Sequence, residues 1–325
     1  MKRQTIGIVA TLLFSLIVVF FIPWLLDLTG RNDLYFTLTS VALLSIASAG
    51  VWLTFFIGRI NMGQAAYALM GGYISTILVV NYGLSFWLTL PLAGFFCALV
   101  SVLIGLPILR LRGVYFAMTT LVLTEVSKLL ALALPITGGA SGIINIPLPK
   151  ALKILGITLI PDFTTLANVK RAFYLLSVIL MILCFALLYR LVHSRLGQLW
   201  RSLQQNEELA SSIGVNISYL RLIAYAISSF FGGLGGAVFA AITQSMYPSN
   251  FTVNDSVNFM LNCFLGGLNY VFGPILGTFV LYFGWDWLFR MGKYQLLIFS
   301  SVLIVLMLFL PNGLLSLRFR RKSQA

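Results

Sequence analysis

Residues 84–109 read LSFWLTLPLAGFFCALVSVLIGLPIL and contain no charged side chain. A stretch of 18 or more residues with few or no charges is typical of a helix that crosses a lipid bilayer. Further apolar windows lie at about 6–26, 34–57, 64–80, 114–135, 171–192, 221–243, 256–285 and 294–311. The sequence therefore predicts an all-α, polytopic transmembrane helical bundle, in which residues 1–325 form a single transmembrane domain.

The composition also favours a membrane protein. Hydrophobic residues make up 60% of the chain, charged residues only 9%, and the mean hydropathy is +0.99, whereas a soluble protein carries about 25% charged residues. The net charge of +13 would suggest nucleic acid in a soluble chain. Here the basic residues stand at the ends of apolar windows, so we expect the bilayer as the partner and no nucleic acid.

The basic residues predict which connections are cytoplasmic. If the N-terminus is cytoplasmic, the positive-inside rule is satisfied by the connections that hold Arg59, Arg110, Arg112, Arg190, Arg195 and Arg201. The segments 27–33, 81–85, 136–170 and 244–255 are then expected on the outer side. The first window exceeds a signal-peptide core, and Pro23-Trp24 is a poor cleavage site, so we interpret the window as a transmembrane helix.

The window 256–285 is predicted to break. Nine single crossings would export the basic tail that ends Arg320-Arg321-Lys322, against the positive-inside rule. Gly266-Gly267 and Gly273-Pro274 interrupt this window, and such breaks are tolerated where the backbone is buried in protein or lines a cavity. Two legs near 256–289 keep the C-terminus cytoplasmic, either as ten full crossings or as a re-entrant element among eight. One long helix with an exported tail is the alternative.

Few residues inside the predicted spans can carry chemistry. Glu125 and Lys128 are three residues apart, so they share a helix face and can neutralise each other; a structural pair is favoured over an ion-coupling site. The sequence contains no nucleophile–base constellation, metal-ligand cluster or phosphate loop. We therefore expect no enzymatic activity, no cofactor and no metal.

The longest predicted cytoplasmic segment, about 193–220, contains a short amphipathic helix. Asn206 can cap this helix, Glu207 and Glu208 suit its first turn, and Gly214 can end it. Its apolar stripe, which includes Leu209 and Ala210, needs a partner surface. Either the protein's own bundle or a soluble partner can bury that stripe.

At this segment the sequence resembles the inner-membrane permeases of bacterial ABC importers, specifically the family that serves branched-chain amino acids. Glu207-Glu208-Leu209-Ala210 with Gly214 resembles the loop motif that forms the family's coupling helix, which inserts into the ATPase subunit. Other matching segments are Asn61-Met62-Gly63-Gln64, Thr137-Gly138-Gly139, Gly266-Gly267-Leu268 and Gly273-Pro274. The resemblance covers about residues 40–315. Arg59 departs from it, because a neutral residue is usual at that position.

The resemblance implies a permease subunit of the bacterial inner membrane with both termini cytoplasmic. Its implied partners are a second, related permease, two cytoplasmic ATPase subunits that hydrolyse ATP, and a periplasmic binding protein that delivers branched-chain or related amino acids, with 136–170 as the periplasmic segment. Urea or short amides are alternative solutes, and a gradient-driven secondary transporter is the less favoured alternative.

Three groups of site residues follow from this reading. The first is an ATPase-coupling loop of Asn206, Glu207, Glu208, Ala210 and Gly214. The second is a set of gating residues in the broken helix, Gly266, Gly267, Gly273 and Pro274. The third is a set of pathway or structural candidates, Asn61, Gln64, Glu125, Lys128, Gly138 and Gly139.

Overall fold

A computed structural model of the chain describes residue 23 and residues 33–111, 113–154, 157–166, 168–212, 214–288, 294–309 and 313–315. The helix predicted at 6–26, Arg112 and the basic tail beyond residue 315 lie outside these residues, apart from Pro23. The cytoplasmic placement of the N-terminus and the C-terminus therefore stays a prediction.

The described residues are predominantly helical. The helices are α1 (Asp33–Phe56), α2 (Gln64–Val80), α3 (Phe86–Ile108), α4 (Val114–Ala133), α5 (Val169–Val192), α6 (Arg195–Gln205), α7 (Glu207–Ser212), α8 (Ile217–Thr243), α9 (Val253–Gly266), α10 (Gly273–Leu288) and α11 (Gln295–Phe309). Within the described residues, α1, α3, α4, α5 and α8 are long and apolar enough to cross a membrane, and α2 is a shorter apolar helix. The predicted all-α, polytopic bundle is confirmed.

Among the residues that the structure describes, four short strands form two antiparallel pairs in the connections. Strand β1 (Ile143–Ile144) pairs with β4 (Ser245–Met246), and β2 (Leu152–Ile154) pairs with β3 (Ile157–Ile160). The first pair joins the connection after α4 to the connection after α8.

Helix α8 lies at the centre of the bundle and packs on α1, α2 and α3. Its glycines allow this close packing: a side chain at Gly233 would collide with Cys97 of α3, and one at Gly236 would collide with the Ala68 carbonyl of α2. Small residues let transmembrane helices approach until their backbones touch, and packing rather than hydrophobicity drives their association in lipid. The glycine cluster therefore fixes how α2 and α3 lie against α8.

The connections between the helices lie at two ends of the bundle, as the contacts among them show. At one end, the Trp87 indole donates a hydrogen bond of 2.7 Å to the Lys150 carbonyl, and Ile143 pairs with Met246. At the other end, Arg59 approaches Glu207. The predicted outer segments 81–85, 136–170 and 244–255 thus meet at one end, and the predicted cytoplasmic connections of Arg59 and 193–220 meet at the other.

The predicted break in the window 256–285 is present. Helices α9 and α10 pack on each other, and residues 267–272 separate them, with Gly267 at a φ of 110° that favours glycine. The Phe272 ring stacks on Tyr189 near the end of α5, so the break lies at the end of the bundle that holds 193–220. The Leu314 amide donates to the Leu265 carbonyl at 2.8 Å, which brings the chain back to that same end after α11.

Candidate functional site

Non-helical backbone enters the interior of the bundle between α1 and α2. The Met62 amide donates a hydrogen bond of 3.0 Å to the Thr120 hydroxyl, in the second turn of α4. The Gln64 side-chain amide donates at 2.9 Å to the carbonyl of Ser228, near the middle of α8. Helix α2 therefore begins inside the bundle, level with the second turn of α4 and near the middle of α8, which explains why it is shorter than they are.

Six buried polar side chains surround this entry point, and we call them the polar junction: Asn61, Gln64, Thr120, Thr124, Ser228 and Ser256. The Ser228 hydroxyl donates to the Gln64 side-chain oxygen at 3.1 Å, and the Asn61 amide group lies 3.4 Å from the same oxygen. Ser256 accepts a hydrogen bond of 3.0 Å from the Ala65 amide, and its hydroxyl lies 3.3 Å from that of Thr124.

The polar junction joins the first turns of two helices. Ala65 is in the first turn of α2 and Ser256 in the first turn of α9, whose start is fixed by reciprocal capping bonds between Thr252 and Asp255. Helix N-termini carry partial positive charge. The six side chains themselves are neutral amides and hydroxyls, so they can hydrogen-bond a polar solute but offer no group that transfers a proton near neutral pH.

The predicted coupling loop forms helix α7 at one end of the bundle. The Asn206 side chain accepts a hydrogen bond of 3.0 Å from the Leu209 amide, as expected for a capping residue. Ala210 is buried, whereas Glu208 and Leu209 are exposed. Gly214 has a φ of 84° and open space where a side chain would stand. The bundle thus buries part of the apolar stripe and leaves another part available to a partner.

Glu207 contacts two buried arginines, and we call this group the arginine clamp. Its carboxylate oxygen accepts a hydrogen bond of 2.6 Å from the Arg221 guanidinium, and the Arg59 guanidinium lies 4.0 Å from the same oxygen. The side chains of Arg59 and Arg221 are only 6% and 8% exposed, and that of Glu207 is 27% exposed. Removing one member of a buried ion pair is strongly destabilising, because the remaining charge loses its compensation.

The remaining pathway candidates lie outside the polar junction. Glu125 and Lys128 form the predicted contact, with 3.4 Å between the charged atoms, but both side chains are partly exposed on the outside of α4. Gly138 and Gly139 lie in the turns after α4, with positive φ angles of 76° and 58°. Of the six predicted candidates, the structure brings only Asn61 and Gln64 into the polar junction.

Several members of the two clusters could not be predicted from the sequence. Thr120, Thr124 and Ser228 were not predicted as site residues, because isolated hydroxyl residues are common in transmembrane helices and can bond their own helix backbone, as Thr120 does to Ala117 at 2.9 Å. Arg221 had no predicted partner either. Its position at the start of a long apolar window, opposite the acids of 193–220, was the available signal.

Irregular backbone inside a polytopic helical bundle is found in membrane transporters, and this chain combines it with a short acidic helix at one end of the bundle. The chain belongs to the family described as branched-chain amino acid transport system, permease component, whose sequence model matches residues 34–311.

The names of similar proteins are consistent with this family. The chain is similar to the high-affinity branched-chain amino acid transport system permease protein LivM of Salmonella typhimurium, with 32% identity, and of Escherichia coli K12, with 31% identity, each over 271 residues. These matches cover 79% of this chain and 64% of the relatives, so the chain spans less than two thirds of their length.

A more distant relative is the probable permease protein LivH of Methanocaldococcus jannaschii, with 22% identity over 74% of this chain and 75% of the relative. No solved structure matches the chain.

Proposed function

We propose that the chain is the transmembrane permease subunit of an ATP-driven ABC importer and forms the path for branched-chain or related amino acids. The arrangement of α7 carries this proposal: one side is fixed to the bundle by the arginine clamp, and the other exposes Glu208 and Leu209. Such a helix suits a soluble ATPase as its partner. Family membership and the similarity to LivM support the solute class.

The proposed assembly follows the family pattern. Two cytoplasmic ATPase subunits hydrolyse ATP, a second and related permease completes the membrane part, and a periplasmic binding protein delivers the solute to the end that holds 136–170. The complex lies in the bacterial inner membrane, with both termini of this chain cytoplasmic. The permease itself is not an enzyme in this scheme.

Two routes lead from the arginine clamp to the polar junction. Arg59 is followed directly by the non-helical segment that carries Asn61 and leads to Gln64, the first residue of α2. Arg221 lies two turns before Ser228 on α8, and the hydrogen bonds between Gln64 and Ser228 join the two routes. A movement of α7 that is driven by the ATPase therefore reaches the hydrogen bonds between Gln64 and Ser228 by two routes, one through Arg59 and one through Arg221.

Opening of the polar junction is the proposed gating step. Irregular backbone at membrane depth is found where it is buried in protein or lines a cavity, and the N-termini of broken helices face solute carboxylates in other transporters. Helix α9 carries Ser256 at one end and Gly266, next to the break at 267–272, at the other. Gly266, Gly267, Gly273 and Pro274 form the proposed hinge that lets α9 move.

Uptake into vesicles that contain the permeases, the ATPases and the binding protein tests this function. Radiolabelled leucine should accumulate when ATP is supplied to the ATPase side and not when only an ion gradient is imposed. If Glu207→Ala and Gly214→Ala leave assembly and ATP-dependent uptake intact, the coupling role of α7 is wrong.

Two alternative functions remain as proposals. A polar junction of amides and hydroxyls also fits urea or short amides, and competition of these compounds with leucine uptake distinguishes the solutes. A gradient-driven carrier is motivated by Glu125, Lys128 and the broken helix. Uptake with a gradient and without ATP would favour the carrier over the importer.

A further inference from the structure

The ion pair of α4 lies near the middle of a membrane-spanning helix and faces away from the rest of the described residues. Helix α4 has 20 residues, which correspond to about 30 Å, the thickness of the hydrocarbon core. Glu125 is close to the middle of this helix, and its neighbour Thr124 bonds to Ser256 in the polar junction. The Glu125 and Lys128 side chains are nevertheless 45% and 32% exposed.

The surface around this pair is apolar. We call it the α4 face, and it consists of Tyr115, Met118, Val122, Glu125, Val126, Lys128 and Leu129, whose large apolar members are all exposed. The opposite side of α4 carries Thr120 and Thr124 and packs into the bundle. The helix thus separates the polar junction from an apolar surface with two charges near its centre.

Contact with lipid is energetically unfavourable for the charged residues of the α4 face. A charged side chain at the bilayer centre is costly, and ionisable residues within membrane spans almost always face the interior of a bundle or a water-filled cavity. Lys128 can extend toward the nearer end of α4, but Glu125 is shorter and lies deeper. Another protein surface at the same depth removes this cost when it offers polar or charged groups.

We infer that the α4 face packs against the second permease subunit of the importer. This inference rests on the proposed function, because that function supplies a second membrane-embedded subunit. Among the proposed partners, the ATPases and the binding protein contact the ends of the bundle, so only the other permease reaches the depth of Glu125.

The second permease must then present polar or charged groups at the depth of Glu125 and Lys128, because lipid cannot offset the cost of these charges. The interface then lies one helix away from the polar junction, on the other side of α4.

A photo-reactive residue tests the contact in membranes that contain the complete importer. We expect a residue introduced in place of Val126 to cross-link to the second permease, identified by mass spectrometry. The matched control replaces Leu183 of α5, which is also exposed, and should label lipid. Cross-links from position 126 to lipid alone would overturn the inference.

Charge variants separate an interface from a lipid-facing surface. The double substitution Glu125→Leu with Lys128→Leu removes the costly charges, so a lipid-facing surface predicts unchanged or better recovery of the permease pair. The interface predicts a roughly tenfold loss of co-purification, because the polar or charged groups of the partner lose their complement. Lys128→Glu alone should also weaken pairing, and unchanged pairing in both variants would contradict the inference.

The proposed function can be judged independently in the same membranes. If the unmodified importer takes up leucine with ATP while position 126 never cross-links to a permease, the α4 face is wrongly assigned and the function stands. If the unmodified chain shows no ATP-dependent uptake but cross-links to a second permease, the pairing stands and the function fails.

Discussion

The arginine clamp and the Glu125–Lys128 pair are both ion pairs, but the protein surrounds them to very different degrees. The clamp holds two guanidinium groups with side chains 6% and 8% exposed against one carboxylate at an end of the bundle. The α4 pair is partly exposed near the middle of a span. The charged members of the clamp contact one another within this chain, whereas the inferred neighbour of the α4 pair belongs to another subunit. The same chemistry therefore indicates an internal connection in one case and an external contact in the other.

The largest effect is expected from Glu207→Gln. Without the carboxylate, Arg59 and Arg221 lose the acid that both contact, and breaking a buried pair typically costs about 3 kcal/mol of stability. The free energy of unfolding of the purified protein in detergent measures this loss. The exposed neighbour provides the control, because Glu208→Gln should change stability by less than about 0.5 kcal/mol. Equal effects of the two substitutions would remove the distinction between the clamp and the surface acid.

A smaller loss is expected from Gln64→Leu in the polar junction. The substitution leaves the Ser228 hydroxyl without its partner in the bundle interior, and an unsatisfied buried polar group costs about 1–3 kcal/mol. Thermal unfolding of the purified protein tests this. Gln204→Leu at an exposed position of α6 is the matched control and should be nearly neutral. A stable Gln64→Leu variant would argue that the junction contributes no structural connection between α2 and α8.

A still smaller change in stability is expected from Arg59→Met. This substitution removes the more distant arginine, at 4.0 Å from the carboxylate, and leaves Glu207 paired with Arg221 at 2.6 Å, so neither remaining charge loses its partner. The free energy of unfolding should fall by less than about 1 kcal/mol, as for a weakly coupled ion pair. The clamp predicts a clear asymmetry, since Glu207→Gln is much more damaging. Equal losses for the two substitutions would mean that Arg59 is as essential to the folded chain as the acid.

The smallest effect in the isolated chain is expected from Lys128→Gln. Partly exposed ion pairs are worth about 0–1 kcal/mol, so the purified subunit should unfold almost as the original protein does. The effect should appear only in pairing with the second permease. A large loss of stability in the isolated subunit would show that the α4 pair stabilises its own chain, and the contrast with the clamp would disappear.

Much of the fold could be predicted because lipid imposes simple rules on sequence. The window 114–135 became α4 (Val114–Ala133), and Gly266-Gly267 and Gly273-Pro274 located the break between α9 and α10. These features depend on local sequence, namely apolar length and helix-breaking residues. The grouping of connections at the two ends also followed from charge.

The clusters could be predicted only in part, because they depend on contacts between distant segments. Asn61 and Gln64 were predicted from a motif, but their approach to Ser228 requires the short α2 and the glycines of α8. Glu207 was predicted as a coupling residue, whereas its contacts with Arg59 and Arg221 depend on how α1 and α8 meet α7. Arg59 differed from the family pattern, and that difference marked a residue of the clamp without indicating its partner.

The proposed connection from α7 to the polar junction is tested most directly in the complete importer that carries Arg59→Met. The quantity to measure is the number of solute molecules transported per ATP hydrolysed. Uptake of radiolabelled leucine and release of phosphate are measured in the same vesicles. If the clamp connects α7 to the polar junction, ATP hydrolysis continues while uptake per ATP falls several-fold. An unchanged ratio of uptake to hydrolysis would contradict the connection through Arg59.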